Sequence, residues 1–127
     1  MSDDEFLTIV DAGVAALGPV ILARMQNVAV VVADELTPAQ REAQGLSPDE
    51  VLFGLYEGVP LTERGFVEEL LLPDKITIFK LPILATYSDP AEIAQCVTNT
   101  VWHEVAHHFG MDEAEVVAEE ERRGKWL

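Results

Sequence analysis

All three histidines of the 127-residue sequence fall within six positions, in His103-Glu104-Val105-Ala106-His107-His108-Phe109-Gly110-Met111-Asp112-Glu113. The first five of these residues read H-E-x-x-H, a spacing with a direct chemical use. On a helix, His103 and His107 share one face about a turn apart, so two imidazoles can converge on one zinc ion at roughly 2.0–2.1 Å. Glu104 projects about 100° further round, beside the metal, where a general base can meet a water. Gly110 follows His107 by three residues and Glu113 follows Gly110 by three. Glycine at a helix end readily takes the left-handed conformation, which turns the chain back toward the helix it left. A carboxylate is a suitable third zinc ligand beside two histidines. The reading is therefore His103, His107 and Glu113 as zinc ligands, water in the fourth position, and Glu104 as catalytic base. The adjacent Asp112 is the alternative third ligand, and the other role for Glu113 is an ordinary acid opening a following helix.

This string is similar to the H-E-x-x-H-x-x-G-x-x-H of metzincins, with Glu113 at the place of the last histidine. In length, acidic composition and the H-E-x-x-H-x-x-G-x-x-acid string, the chain resembles the bacterial minimal zincins, small zincin-like metallopeptidases. The resemblance implies a zincin-type fold, one zinc per chain, a peptidase-like site and a peptide or protein substrate. Fourteen residues follow Glu113, too few for the Met-turn and specificity subdomain of metzincins, and Met111 cannot be that turn. A cleft so reduced leaves a place for a protein partner or a homodimer. Two rival readings belong to other classes. A family of ribosome-associated endoribonucleases uses the similar string H-G-x-x-H-x-x-G-x-D-H, but Glu104 replaces its glycine and Glu113 its last histidine. A zinc-binding structural or regulatory module with little or no proteolysis is the second rival. A purely structural site prefers four protein ligands and needs no base, so Glu104 speaks against it.

Composition narrows the classes further. The length suits one domain over residues 1–127 with its own core, and 49% of the residues are hydrophobic. Eight basic residues against 23 acidic ones give a formal net charge of −15. That field repels phosphate backbones and anionic lipid, so neither nucleic acid nor membrane is an expected partner, whereas basic peptides are favoured. Keeping the protein soluble is the plainer use of the same charge. No apolar run approaches a membrane span, and Met1-Ser2-Asp3-Asp4-Glu5 is acidic where a secretory signal is basic. Cys96 is the sole cysteine, which excludes an internal disulfide. A cytoplasmic location is expected.

The helix that must present the histidines has a clear beginning at Asp89-Pro90-Ala91-Glu92: a capping residue, proline at the first helical position, and glutamate at the capping-box position. It is expected to run to Phe109. Ala94, Val97, Val101, Trp102, Val105 and Phe109 fall on one arc, and Glu92, Cys96, Thr100, His103 and His107 on the other. The histidines thus face away from the apolar stripe, which argues against a core role. His108 lies at the border, where a structural hydrogen bond is the expectation. Cys96 shares the metal face but lies about 10 Å back along the helix and is read as inert. Tyr87 is read as a packing residue.

Upstream, residues 4–17 carry helical periodicity with Asp3 or Asp4 as cap, and Pro19 opens a short helix to about Met25. Val28–Ala33 reads as a strand buried on both faces in the middle of a sheet. Residues 36–49 read as loop with at most one helical turn. Val51–Tyr56 reads as a strand in which Gly54 marks a bulge or a close neighbour. Residues 57–65 read as loop, and Phe66–Leu72 as a short apolar patch. Lys75–Leu81 alternates like an edge strand with a wet face, a candidate to pair with extended substrate backbone or simply an edge guarded by its lysines. Asp112–Arg123 reads as an acidic terminal helix. The expected fold class is α+β, a minimal zincin-like fold: a mixed sheet of about three to four strands, an N-terminal helix, the long H-E-x-x-H helix and a short C-terminal helix.

Overall fold

The computed structural model describes residues 1–25, 27–58 and 74–110, and it is a mixed α+β arrangement. Helix α1 (Asp3–Ala15) and the short α2 (Pro19–Ala23) precede strand β1 (Val28–Ala33) and helix α3 (Pro38–Ala43). Strands β2 (Gly54–Glu57) and β3 (Asp74–Phe79) follow, then helices α4 (Lys80–Thr86) and α5 (Pro90–His108). The expected C-terminal helix over Asp112–Arg123, the apolar patch Phe66–Leu72 and most of the loop over 57–65 lie outside the described residues.

The described strands are ordered β1-β3-β2, with β1 parallel and β2 antiparallel to β3. This corrects two expectations. Strand β3 has a partner on each side, so the Lys75–Leu81 stretch is the centre of the sheet and cannot add a substrate strand. Strand β1 pairs only with β3 among the described residues, and Ala29 and Val31 are exposed. The misleading signal was the alternation of Lys75 and Thr77 with isoleucines. Thr77 is buried, Lys75 lies 3.6 Å from Glu57 in an ion pair, and Lys80 belongs to helix α4. Buried Lys80 donates to Asp3 at 2.6 Å, and this contact holds the Asp3 carboxyl below its usual range. Helix α4 was hidden because seven residues show little periodicity and Pro82 reads as a breaker. In the first turn, however, the missing N–H has no intrahelical partner to lose.

Local signals explain the other differences. Helix α1 is capped by Ser2, not Asp3 or Asp4: the Ser2 hydroxyl accepts from Glu5 N and the Glu5 carboxylate accepts from Ser2 N, both at 3.1 Å. Thr37 and Gln40 make the same reciprocal box at 3.0 Å, which turns the expected loop into six residues of helix. At α5 the cap is Asp89, as expected, but its side chain accepts from Ala91 N at 2.9 Å.

The even residues of the strands carry one face of the sheet toward α5 and α1. Ile76 and Ile78 are fully buried there with Phe6, Val10, Val97, Val101 and Val105. On the other face, Leu55 and Phe79 pack with Leu36 in a smaller cluster. Helix α5 is thus covered on two sides, which buries Cys96 and Thr100 despite their polar-side placement in the sequence pattern. The second cover is β2, and Gly54 is what admits it. A Cβ at Gly54 would lie 2.6 Å from Thr100 Cγ2 and 3.3 Å from both Glu104 Cγ and Thr77 O. The Gly54 signal was a close neighbour.

Gly54→Ala should therefore destabilise the fold by about 1–3 kcal/mol, the usual cost of overpacking. Adding Thr100→Ser, which removes the offending methyl, should restore part of the loss in a chemical unfolding experiment.

Candidate metal centre

Helix α5 brings His103, Glu104 and His107 together as its spacing dictates. One ligand atom from each lies within 4.8 Å of the others, and the two imidazole rings are 5.0 Å apart between centroids. Both histidines are half-buried, so they can be dehydrated on one side while a ligand reaches them from the other. The two imidazoles fit zinc, for which they are usual ligands, and the Glu104 carboxylate stands beside them where a base can meet a water. The helix closes just beyond them. Phe109 N donates to Val105 O, Gly110 N donates to His107 O at 2.9 Å, and Gly110 has φ 82. The chain thus leaves the helix by the left-handed turn expected of that glycine. Glu113 and Asp112 lie outside the described residues.

Glu104 is only 8% exposed, which for a carboxylate demands a partner. Its Oε1 accepts from the backbone N–H of Tyr56 at 3.0 Å. The register explains why that amide is available. In an antiparallel pair, alternate residues direct their N–H and C=O groups to the neighbour. Phe53 O accepts from Phe79 N at 2.8 Å, so the odd residues of β2 face β3 and the even ones, Gly54 and Tyr56, turn outward. The outward edge is the one beside α5.

A pocket of about 300 Å³ lies along this edge, walled by Gly54 at the start of β2, by Leu52 and Phe53 just before it, and by Asn99 and Thr100 from the helix. His103 and Glu104 complete its lining, so the pocket opens onto the candidate site.

The remaining histidine has a different place. His108 is 1% exposed, and its Nδ1 lies 2.6 Å from Asp74 Oδ2, the structural hydrogen bond expected of it. Tyr56 Oη donates to the same carboxylate oxygen at 2.6 Å. Neither Asp74 nor Tyr56 was singled out by the sequence. Asp74 follows Pro73 and looks like a turn residue, and a backbone amide carries no signature at all. Tyr87 packs against Phe53 with ring centroids 6.3 Å apart, as expected. Cys96 is buried, and burial pushes its thiol pKa up.

Among the described residues, no helix is long and apolar enough to cross a membrane. A family model described as zincin-like metallopeptidase matches residues 25–123. No curated protein matches the chain.

Because the thiolate is the reactive form, the raised pKa and burial of Cys96 both slow its alkylation. In iodoacetamide labelling at pH 8, Cys96 in the folded protein should react at least about tenfold more slowly than in the urea-unfolded chain.

Proposed function

The chain belongs to the zincin-like metallopeptidase family, and from that membership we propose that it is a zinc-dependent peptidase whose base is Glu104. The observation that carries the reading is the His103–Glu104–His107 cluster, in which the glutamate is held from outside its own helix by the Tyr56 amide. His103 and His107 are the residues that would hold zinc, with Glu113 as third ligand after the Gly110 turn. When bound, zinc supplies Lewis acidity, which acidifies water and polarises a carbonyl oxygen.

Glu104 takes a proton from the attacking water and delivers it to the amine leaving group, so the peptide is divided into an acid and an amine with no proton lost. The Tyr56 N–H fixes one oxygen of that carboxylate, which limits how far the base can swing between the two transfers. Burial beneath β2 keeps bulk water from competing for it. A peptide substrate in extended form can pair with the outward backbone groups of Gly54, since among the described residues β2 pairs with β3 alone and turns its other edge to the pocket. Leu52 and Phe53 offer an apolar wall to one substrate side chain. The formal charge of −15 favours basic peptides in the approach, and the site's chemistry calls for no nucleic acid or membrane.

The test uses tag-free protein loaded with zinc and a peptide library. Glu104→Gln should retain zinc yet lower turnover by about 10²–10⁴-fold, the range for loss of a general base. Glu113→Ala should weaken zinc binding, whereas Asp112→Ala should not. A zinc-loaded wild type that cleaves nothing would leave the other reading, a zinc-binding structural or regulatory module.

A further inference from the structure

Asp74 is a carboxylate 3% exposed at the start of the central strand, on the face toward α5. Its Oδ2 is shared by two donors from different elements, Tyr56 Oη on β2 and His108 Nδ1 on α5, each at 2.6 Å. Such short bonds to a charged acceptor are the stronger class of hydrogen bond, and a buried carboxylate without them would be costly. The rings of Tyr56 and His108 also meet edge to face, 5.8 Å between centroids. Among the described residues His108 Nε2 is buried without a hydrogen-bond partner, and the polar anchoring they give that ring comes from Asp74. Immediately after β2, Gly58 passes over the carboxylate so closely that a Cβ would lie 2.6 Å from Asp74 Cγ.

These bonds join the two halves of the site. Tyr56 carries the amide that holds Glu104, and His108 is the next residue after His107. We propose that Asp74 is a positioning residue for the catalytic base: by tying Tyr56 and His108 to one buried oxygen, it sets the spacing at which the Tyr56 amide reaches Glu104. The bond to His108 fixes the last turn of α5, and the bond to Tyr56 fixes the end of β2. With either one lost, the strand can ride away from the helix by a fraction of an ångström, and a 3.0 Å amide bond to Glu104 is sensitive to that. The catalytic part of this inference rests on the peptidase reading, but the geometric part does not.

The experiment is native-state amide exchange on Asp74→Asn and Tyr56→Phe. The second variant removes one hydroxyl and guards against a first that folds poorly. In both, exchange of the Tyr56 amide should quicken about tenfold or more, while the amides of Ile76 and Ile78 in β3 keep their wild-type rates within about twofold. Unchanged exchange at Tyr56, or acceleration shared equally by Ile76 and Ile78, would overturn the proposal, the latter by showing a merely structural role. With zinc saturating, kcat for peptide cleavage should fall about 10–100-fold, as for loss of groups that orient a metal site, with KM nearly unchanged. A rise confined to KM, with kcat unchanged, would also overturn it. A wild type without turnover would contradict the peptidase reading, and the exchange rates would then decide the fate of the Asp74 proposal.

Discussion

Strand β2 can lie against helix α5 because residue 54 has no side chain. The hold on Glu104 and the wall of the pocket beside it depend on that approach. With Thr100 Cγ2 occupying the space a Cβ would need, the strand comes close enough for the Tyr56 amide to reach Glu104. Thr100 is itself held by its hydroxyl, which donates to Cys96 O at 2.7 Å, so its methyl is not free to turn aside. The antiparallel register then decides which amides point outward. A glycine, a methyl group and a strand register together place the Glu104 carboxylate.

The same approach creates an electrostatic difficulty, since it buries two carboxylates under one short strand. Glu104 and Asp74 are both nearly inaccessible. Buried charge is tolerated when it is hydrogen-bonded, and each carboxylate here is met by donors from a neighbouring element. Glu104 takes the Tyr56 backbone amide from β2. Asp74 takes a phenol and an imidazole at 2.6 Å, which binds it into the scaffold. The two acids thus meet donors of different kinds, a backbone amide at one and side chains at the other.

The sequence disclosed the parts whose signals are local. Asp89-Pro90 marked the start of α5, the β-branched run marked β1 with its bounds, and the H-E-x-x-H spacing placed three ligand-type atoms together. Gly110 was recognised because a left-handed helix end suits few other residues. What escaped was mostly non-local. The order β1-β3-β2 depends on which strands pair, and Thr77 looks as wet in sequence as Lys75 although it lies under the smaller core cluster. Asp74 owes its meaning to Tyr56, 18 residues away, and to His108, 34 residues away. The capping boxes at Ser2 and Thr37 were local and legible, and each was outweighed by a more conspicuous neighbour: the acids at 3 and 4, and the prolines at 38 and 48.

The central claim is that helix α5 carries a zinc site built on His103 and His107. The most direct test is zinc content per chain in tag-free protein purified without chelator, beside His103→Ala and His107→Ala prepared identically. The account predicts one zinc per wild-type chain and loss of the metal in both variants, with folding retained by circular dichroism. A wild type that neither carries zinc nor takes it up at micromolar concentration would contradict it, as would variants that hold the metal as tightly as the wild type.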